Sequence, residues 1–209
     1  MRHKTVGMLL AVVGLTLRMG AAPAATLAGT VAAVDGLCTA QGRALRPGDA
    51  IQVGDTIGVP ANGNLRLQMR DGSRVLVAPG SSVTVASYSV GGAGRSARLS
   101  LPVGLLRAVV APVPGPSAFE ISTAAGTAAV RSRSADAFVK VQGGLAQVGV
   151  LAGTVALTSA ATGRSVSIPA HWGTRLEPGL NPMLPRVWAQ TEFNAVIRLT
   201  QCCQSGQPR

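Results

Sequence analysis

The chain is poor in most of the residues that build active sites. Aromatic residues make up 3% and charged residues 13% of 209 residues, with 2 histidines, 3 cysteines and 8 acids. His171 is the single histidine beyond residue 25, it sits in Ala170-His171-Trp172-Gly173, and no G-x-S-x-G elbow accompanies it. A Ser–His–acid centre therefore has no visible nucleus. The acids are scattered, and three occupy the turn contexts Pro47-Gly48-Asp49, Gly54-Asp55 and Asp71-Gly72. Aspartate suits such turns because its carboxylate accepts nearby backbone N–H groups. Neither a paired-carboxylate pattern nor a calcium loop emerges. The thiols lack C-x-x-C spacing, which with one histidine disfavours zinc. Walker and dinucleotide-binding loops are missing too. The expectation is a chain with no catalytic residues, no metal site and no cofactor.

What the chain has is small apolar residues. It is 47% hydrophobic, carried mainly by Ala and Val, with 26 Gly and 13 Pro that follow no collagen period. Leu65-Arg66-Leu67-Gln68-Met69-Arg70 alternates apolar and polar, and Asp71-Gly72 follows it as a two-residue type I′ hairpin signal. Similar short runs recur at 74–77, 83–85, 98–101, 105–110, 119–123, 127–131, 137–141, 146–150, 154–158 and 165–168, with turn residues between them. That spacing predicts an all-β fold from about residue 26 to 179, as a short-stranded sandwich, a roll or a short β-solenoid. A weak echo links Val75, Val77, Gly80, Val83 and Val85 to Val148, Val150, Gly153, Val155 and Leu157. Three prolines between Pro178 and Pro185 mark a linker, placed at 180–185. Beyond it Trp188, Phe193, Val196, Ile197 and Leu199 fall near helical spacing, so 186–201 is expected to form an amphipathic helix packed on the β domain, before a tail at 202–209.

The N-terminus reads as a secretory signal peptide over residues 1–25. Arg2 and Lys4 precede an apolar run from Val6 to Leu17, and Ala22-Pro23-Ala24 offers small residues for cleavage after Ala24 or Ala25. The run is shorter than the roughly 20 residues of a membrane span. The mature chain is expected in the periplasm or medium, with no transmembrane span. Removing Arg2, Lys4 and Arg18 from 19 cations leaves 16 against 8 acids, a net +8, all arginine except Lys140. Such an excess suits an anionic partner, or arginines spread over exposed strand faces; they do not cluster and few aromatics interleave, so nucleic acid is not expected. In an oxidising compartment Cys38 could pair with Cys202 or Cys203, clamping the helix and leaving one thiol over.

The segment Val53-Gly54-Asp55-Thr56-Ile57, the alternating strand 65–69, Asp71-Gly72-Ser73 and the run Val75 to Ser81 resemble the FecR domain in order and spacing. Phe119 to Thr123, Ala129-Val130-Arg131 and Phe138-Val139-Lys140-Val141 look like that family's second signature, although Ala124 stands where proline is usual and Ser132-Arg133 where Gly-Thr is usual. The matching motif residues are Gly54, Asp55, Asp71, Gly72, Ser73, Thr123 and Arg131. The resemblance implies an exported, non-enzymatic interaction or sensing module in the bacterial envelope, binding an unidentified envelope protein. Because the signal peptide begins at residue 1, the family's cytoplasmic anti-sigma part is not expected. The alternative is an arginine-mediated binder of anionic cell-wall or surface polysaccharide.

Overall fold

A computed structural model of the chain describes residues 26–92 and 94–201. Its strands are β1 (Leu27–Asp35), β2 (Thr39–Ala40), β3 (Arg43–Ala44), β4 (Ala50–Gln52), β5 (Thr56–Val59), β6 (Asn64–Met69), β7 (Arg74–Val77), β8 (Ser81–Gly91) and β9 (Gly94–Val110). There follow β10 (Ser117–Ser122), β11 (Gly126–Val130), β12 (Ala135–Gln142), β13 (Leu145–Ala152), β14 (Thr154–Ser159), β15 (Ser165–Pro169), β16 (Trp172–Leu176) and β17 (Arg186–Val187), then α1 (Gln190–Thr200).

The strands form two sheets that share β9. Sheet A runs β4-β1-β6-β7-β9-β12-β13-β16-β17. Sheet B runs β3-β2-β5-β8-β9-β10-β11-β14-β15. Among the described strands every pairing is antiparallel except β9–β10. One apolar cluster lies between the sheets, with Leu65, Leu67, Val75 and Val77 from sheet A and Ile57, Val83, Val85 and Leu99 from sheet B. Alternation explains it: each strand turns every second side chain inward, and those positions are Val, Leu, Ile and Ala. The fold is all-β as expected, two sheets joined through β9 around one shared core.

Gly104 lets β9 change sheets. Residues 94–103 pair in sheet B and 104–110 in sheet A. Gly104 has φ +102°, and a Cβ there would lie 2.2 Å from Ser81 Oγ and 2.4 Å from Ser81 Cα. The two runs expected at 98–101 and 105–110 are thus one strand with a change of inward phase at its middle. The echo noted in the sequence also has a structural counterpart. Each copy ends a sheet A strand and starts a sheet B strand, β7 to β8 through Gly80 and β13 to β14 through Gly153.

The C-terminal helix is shorter than expected. Arg186 and Val187 pair with Gly173 and Trp172 as an edge strand instead of opening a helix. The helix begins after Ala189, where the Glu192 carboxylate accepts the Ala189 N–H at 2.8 Å, half of a capping box. The segment 180–185 is tied to the sheet as well, because Thr174 Oγ1 donates to the Met183 carbonyl at 2.6 Å and Met183 N donates to Arg175 O at 3.0 Å. Phe193 and Val196 pack on the outer face of sheet A with Trp188, Phe138, Leu105 and Ala78, whereas Leu199 is 50% exposed. The rings of Phe138, Trp188 and Phe193 lie 5.6–6.2 Å apart. Gly149 and Gly173 make the bed beneath them, since a Cβ on Gly149 would sit 2.4 Å from the Phe138 ring and one on Gly173 2.3 Å from Trp188.

Candidate functional site

The motif residues do not converge on one pocket; each fastens a different turn or joint. Gly54 has φ +94° and its N–H reaches Val85 O at 2.8 Å, while the Asp55 carboxylate accepts the Gln52 N–H at 2.8 Å. Together they lock the β4–β5 turn onto β8. Thr123 closes the β10–β11 hairpin, its Oγ1 donating to Gly126 O at 2.9 Å and lying 3.1 Å from Gly126 N. Arg131 has an exposed side chain; its backbone N–H bonds Thr154 O at 2.9 Å.

Asp71-Gly72-Ser73 departs from the expected two-residue turn. Gly72 N donates to Met69 O at 3.1 Å and Met69 N to Ser73 O at 2.8 Å, which closes a three-residue loop over 70–72. Only Gly72, at φ +84°, takes the left-handed conformation there. This is a type I turn with a glycine bulge. The bulge aims the Asp71 carboxylate inward, where it meets the Arg95 guanidinium; both side chains have no exposed surface. Ser73 completes the joint. Its Oγ donates to Asp71 at 2.7 Å, accepts Ala111 N–H at 3.0 Å and lies 3.1 Å from Arg95 Nη1. Arg95 also donates to Ala111 O at 2.9 Å and to Ser117 Oγ at 2.6 Å, and lies over the Phe119 ring; its Nε meets no acceptor among the described residues.

This cluster ties the 70–73 turn, β8, both ends of β9 and β10 together. Burial pushes the Asp71 carboxyl up, but hydrogen bonds from Tyr88, Arg95 and Ser73 outweigh it and hold it below its ordinary range. Burial and the adjacent Asp71 carboxylate raise the Tyr88 phenol well above its usual value. Arg95, Tyr88 and Ser117 were not singled out from the sequence. The available signal was Arg95 itself, a cation in inward phase with Ala97, Leu99 and Leu101, which requires a buried counter-charge.

The remaining candidates are placed as follows. His171 is exposed at the β15–β16 turn with φ 67°, its ring edge-on to Phe193 at 6.4 Å. Cys38 is fully buried, with Sγ 3.4 Å from the Asp35 carbonyl. Cys202, Cys203 and the signal-peptide segment 1–25 lie outside the described residues. No three His, Cys, Asp or Glu side chains converge as a metal site among the described residues.

The described residues are cationic because fifteen cations face eight acids, five of which are taken up in ion pairs. Asp49, Asp71, Glu120, Asp136 and Glu192 pair with Arg43, Arg95, Arg98, Arg107 and Arg186. Ten of the fifteen cations in the described residues sit in no described ion pair. One group of exposed apolar side chains, Leu180, Met183, Leu184 and Val187 with Trp172, lies along the β16–β17 edge of sheet A, where Met183 and Leu184 line a cleft of about 170 Å³.

Residues 55–156 match the family model described as FecR protein. No curated protein matches the chain. Two crystal structures of a candidate anti-sigma factor from Parabacteroides distasonis ATCC 8503 share the fold. They have TM-scores of 0.55, are 15% and 14% identical, and each covers 68% of this chain. The chain spans 64% and 63% of those proteins' lengths. Asp55, the buried Asp71–Ser73 joint and the Thr123 hairpin all fall inside the segment that matches the FecR model.

Proposed function

We propose that this chain is an exported, non-enzymatic interaction or sensing module of FecR type, acting in the bacterial envelope on a protein partner. The match of residues 55–156 to the FecR family carries the reading. The geometry supports it, because Asp55, Asp71, Ser73 and Thr123 spend their polar groups on the protein's own backbone and side chains. They act as joints of a scaffold, and contact with a partner falls to the outer faces and edges. The signal-peptide pattern supports export.

One observation favours a second reading. The ten cations outside described ion pairs suit an anionic cell-wall or surface polysaccharide. Affinity capture from envelope extract with the mature chain separates the two. A discrete protein retained in about 1 M salt, where the screening length falls to about 3 Å, supports the first reading. Polymer released at that salt, with no protein retained, supports the second.

A further inference from the structure

The outer face of sheet A is covered over only half its width. α1 covers Phe138 on β12 and Leu105 on β9, and it reaches across β9 to Ala78 at the end of β7. On the other side of β9 the same face presents Arg66 and Leu76, directly paired, beside Gln68 and Arg74, directly paired. Val109 lies opposite Arg74, and Arg107 opposite Leu76. These residues alternate with the buried Leu65, Leu67, Val75, Val77, Ala108 and Val110, so their side chains stand on the outer face.

Cations outnumber acids on this half: its strands β1, β4, β6 and β7 carry Arg66 and Arg74 against the single carboxylate Asp35, which pairs in register with Asn64 at the end of β6. Arg107 is neutralised by Asp136 at 2.6 Å. Arg66 and Arg74, diagonal neighbours across β6 and β7, belong to no described ion pair. Diagonal cross-strand positions are about 7–8 Å apart, a spacing that lets two guanidinium groups engage successive carboxylates. Leu76 and Val109 are half-buried and give an apolar floor between them. The edge at Met183 to Val187 is the more apolar feature, but Glu177 and Glu192 offset Arg175 and Arg186 there, so charge selects no occupant for it.

We propose that the bare half of the outer face, centred on Arg66, Arg74, Leu76 and Val109, docks an acidic amphipathic helix of the partner protein, side by side with α1. The proposal rests on the reading of the chain as a protein-binding module. Two features choose a helix with carboxylates over a polyanion. The face already accepts one helix on its neighbouring strands, and aliphatic side chains between the arginines give a helix apolar contact that a hydrated polysaccharide would leave unused.

The test pans a displayed library of short helical peptides of unconstrained composition against the purified mature chain, with alginate as a parallel polyanion probe. Enriched peptides are expected to carry Asp or Glu flanking an apolar stripe at helical spacing. Their binding should weaken about tenfold or more in R66E/R74E and in Leu76→Asp, with the fold intact by circular dichroism. T127E on the outer face of sheet B should leave it unchanged. Acidic peptides that bind R66E/R74E as tightly as the parent place the partner elsewhere and overturn the face while leaving the module reading standing. No enriched peptide, with alginate bound through the same arginines, overturns both.

Discussion

Replacing Arg95 by methionine is the sharpest perturbation of the scaffold. The substitution keeps the bulk of the side chain and removes the counter-charge of Asp71, whose carboxylate has no exposed surface. Ala111 O and Ser117 Oγ lose their guanidinium donor in the same step. Removing one partner of a buried pair costs about 3–5 kcal/mol, because the remaining charge stays desolvated. A domain of this size has about 5–15 kcal/mol in total, so the variant should be marginal. Urea titration at neutral pH reads the loss as a fall in midpoint at constant slope. Asp71→Asn should cost a similar amount, whereas Asp71→Leu combined with Arg95→Met should cost far less than the two single changes together, since no charge is then buried. Single variants that lose under about 1 kcal/mol would refute the argument that this pair locks the turn, β8, β9 and β10 together.

Acid should act through the same joint: the Asp71 pKa is lower folded than unfolded, so its contribution is present above about pH 4 and fades as pH falls through the folded value; a midpoint flat from pH 6 to pH 2 would contradict this. Tyr88 works in the opposite sense. Its phenol pKa is raised on folding, so its contribution holds below about pH 10 and is lost above, and alkaline titration of stability should fall from there. Gly104→Ala combines a left-handed φ with a contact on Ser81 and should destabilise by about 2–4 kcal/mol in the same urea assay. Gly173→Ala should push Trp188 off its bed and loosen α1, seen as a red shift of tryptophan emission at a cost of about 1–3 kcal/mol. N-terminal sequencing of exported material should begin at Ala25 or Thr26; an intact Met1 on membrane-bound protein would contradict export by cleavage.

Strand content was legible because alternation is a local signal. Leu65 to Met69 and Arg74 to Val77 read directly, and the structure places both in sheet A. What stayed hidden is non-local. The sharing of β9 between sheets depends on Gly104 meeting Ser81, more than twenty residues away in sequence, and nothing near Gly104 announces that contact. The start of α1 was misplaced because apolar spacing in 186–189 fits a helix, while pairing of Arg186 and Val187 with β16 holds them extended. For the motif, Asp71-Gly72 signalled a hairpin, but its length is set by the buried Arg95, which draws the carboxylate inward and favours the bulged loop. The bare cationic face was invisible for a related reason. Arg66 and Arg74 are eight positions apart, and become neighbours only through the register of β6 with β7.

The central claim is that the FecR motif residues are joints of a scaffold and that binding is done by the outer surface. Calorimetric titration of the captured partner into wild-type protein and into Ser73→Ala tests it most directly. Ser73 is fully buried and bonds Asp71, Ala111 and Arg95, so its loss should cost about 1–3 kcal/mol of stability. At a temperature where both proteins are folded, the two affinities should agree within error. A folded Ser73→Ala protein that binds tenfold or more weakly would show that the motif itself forms the contact, and would contradict the claim.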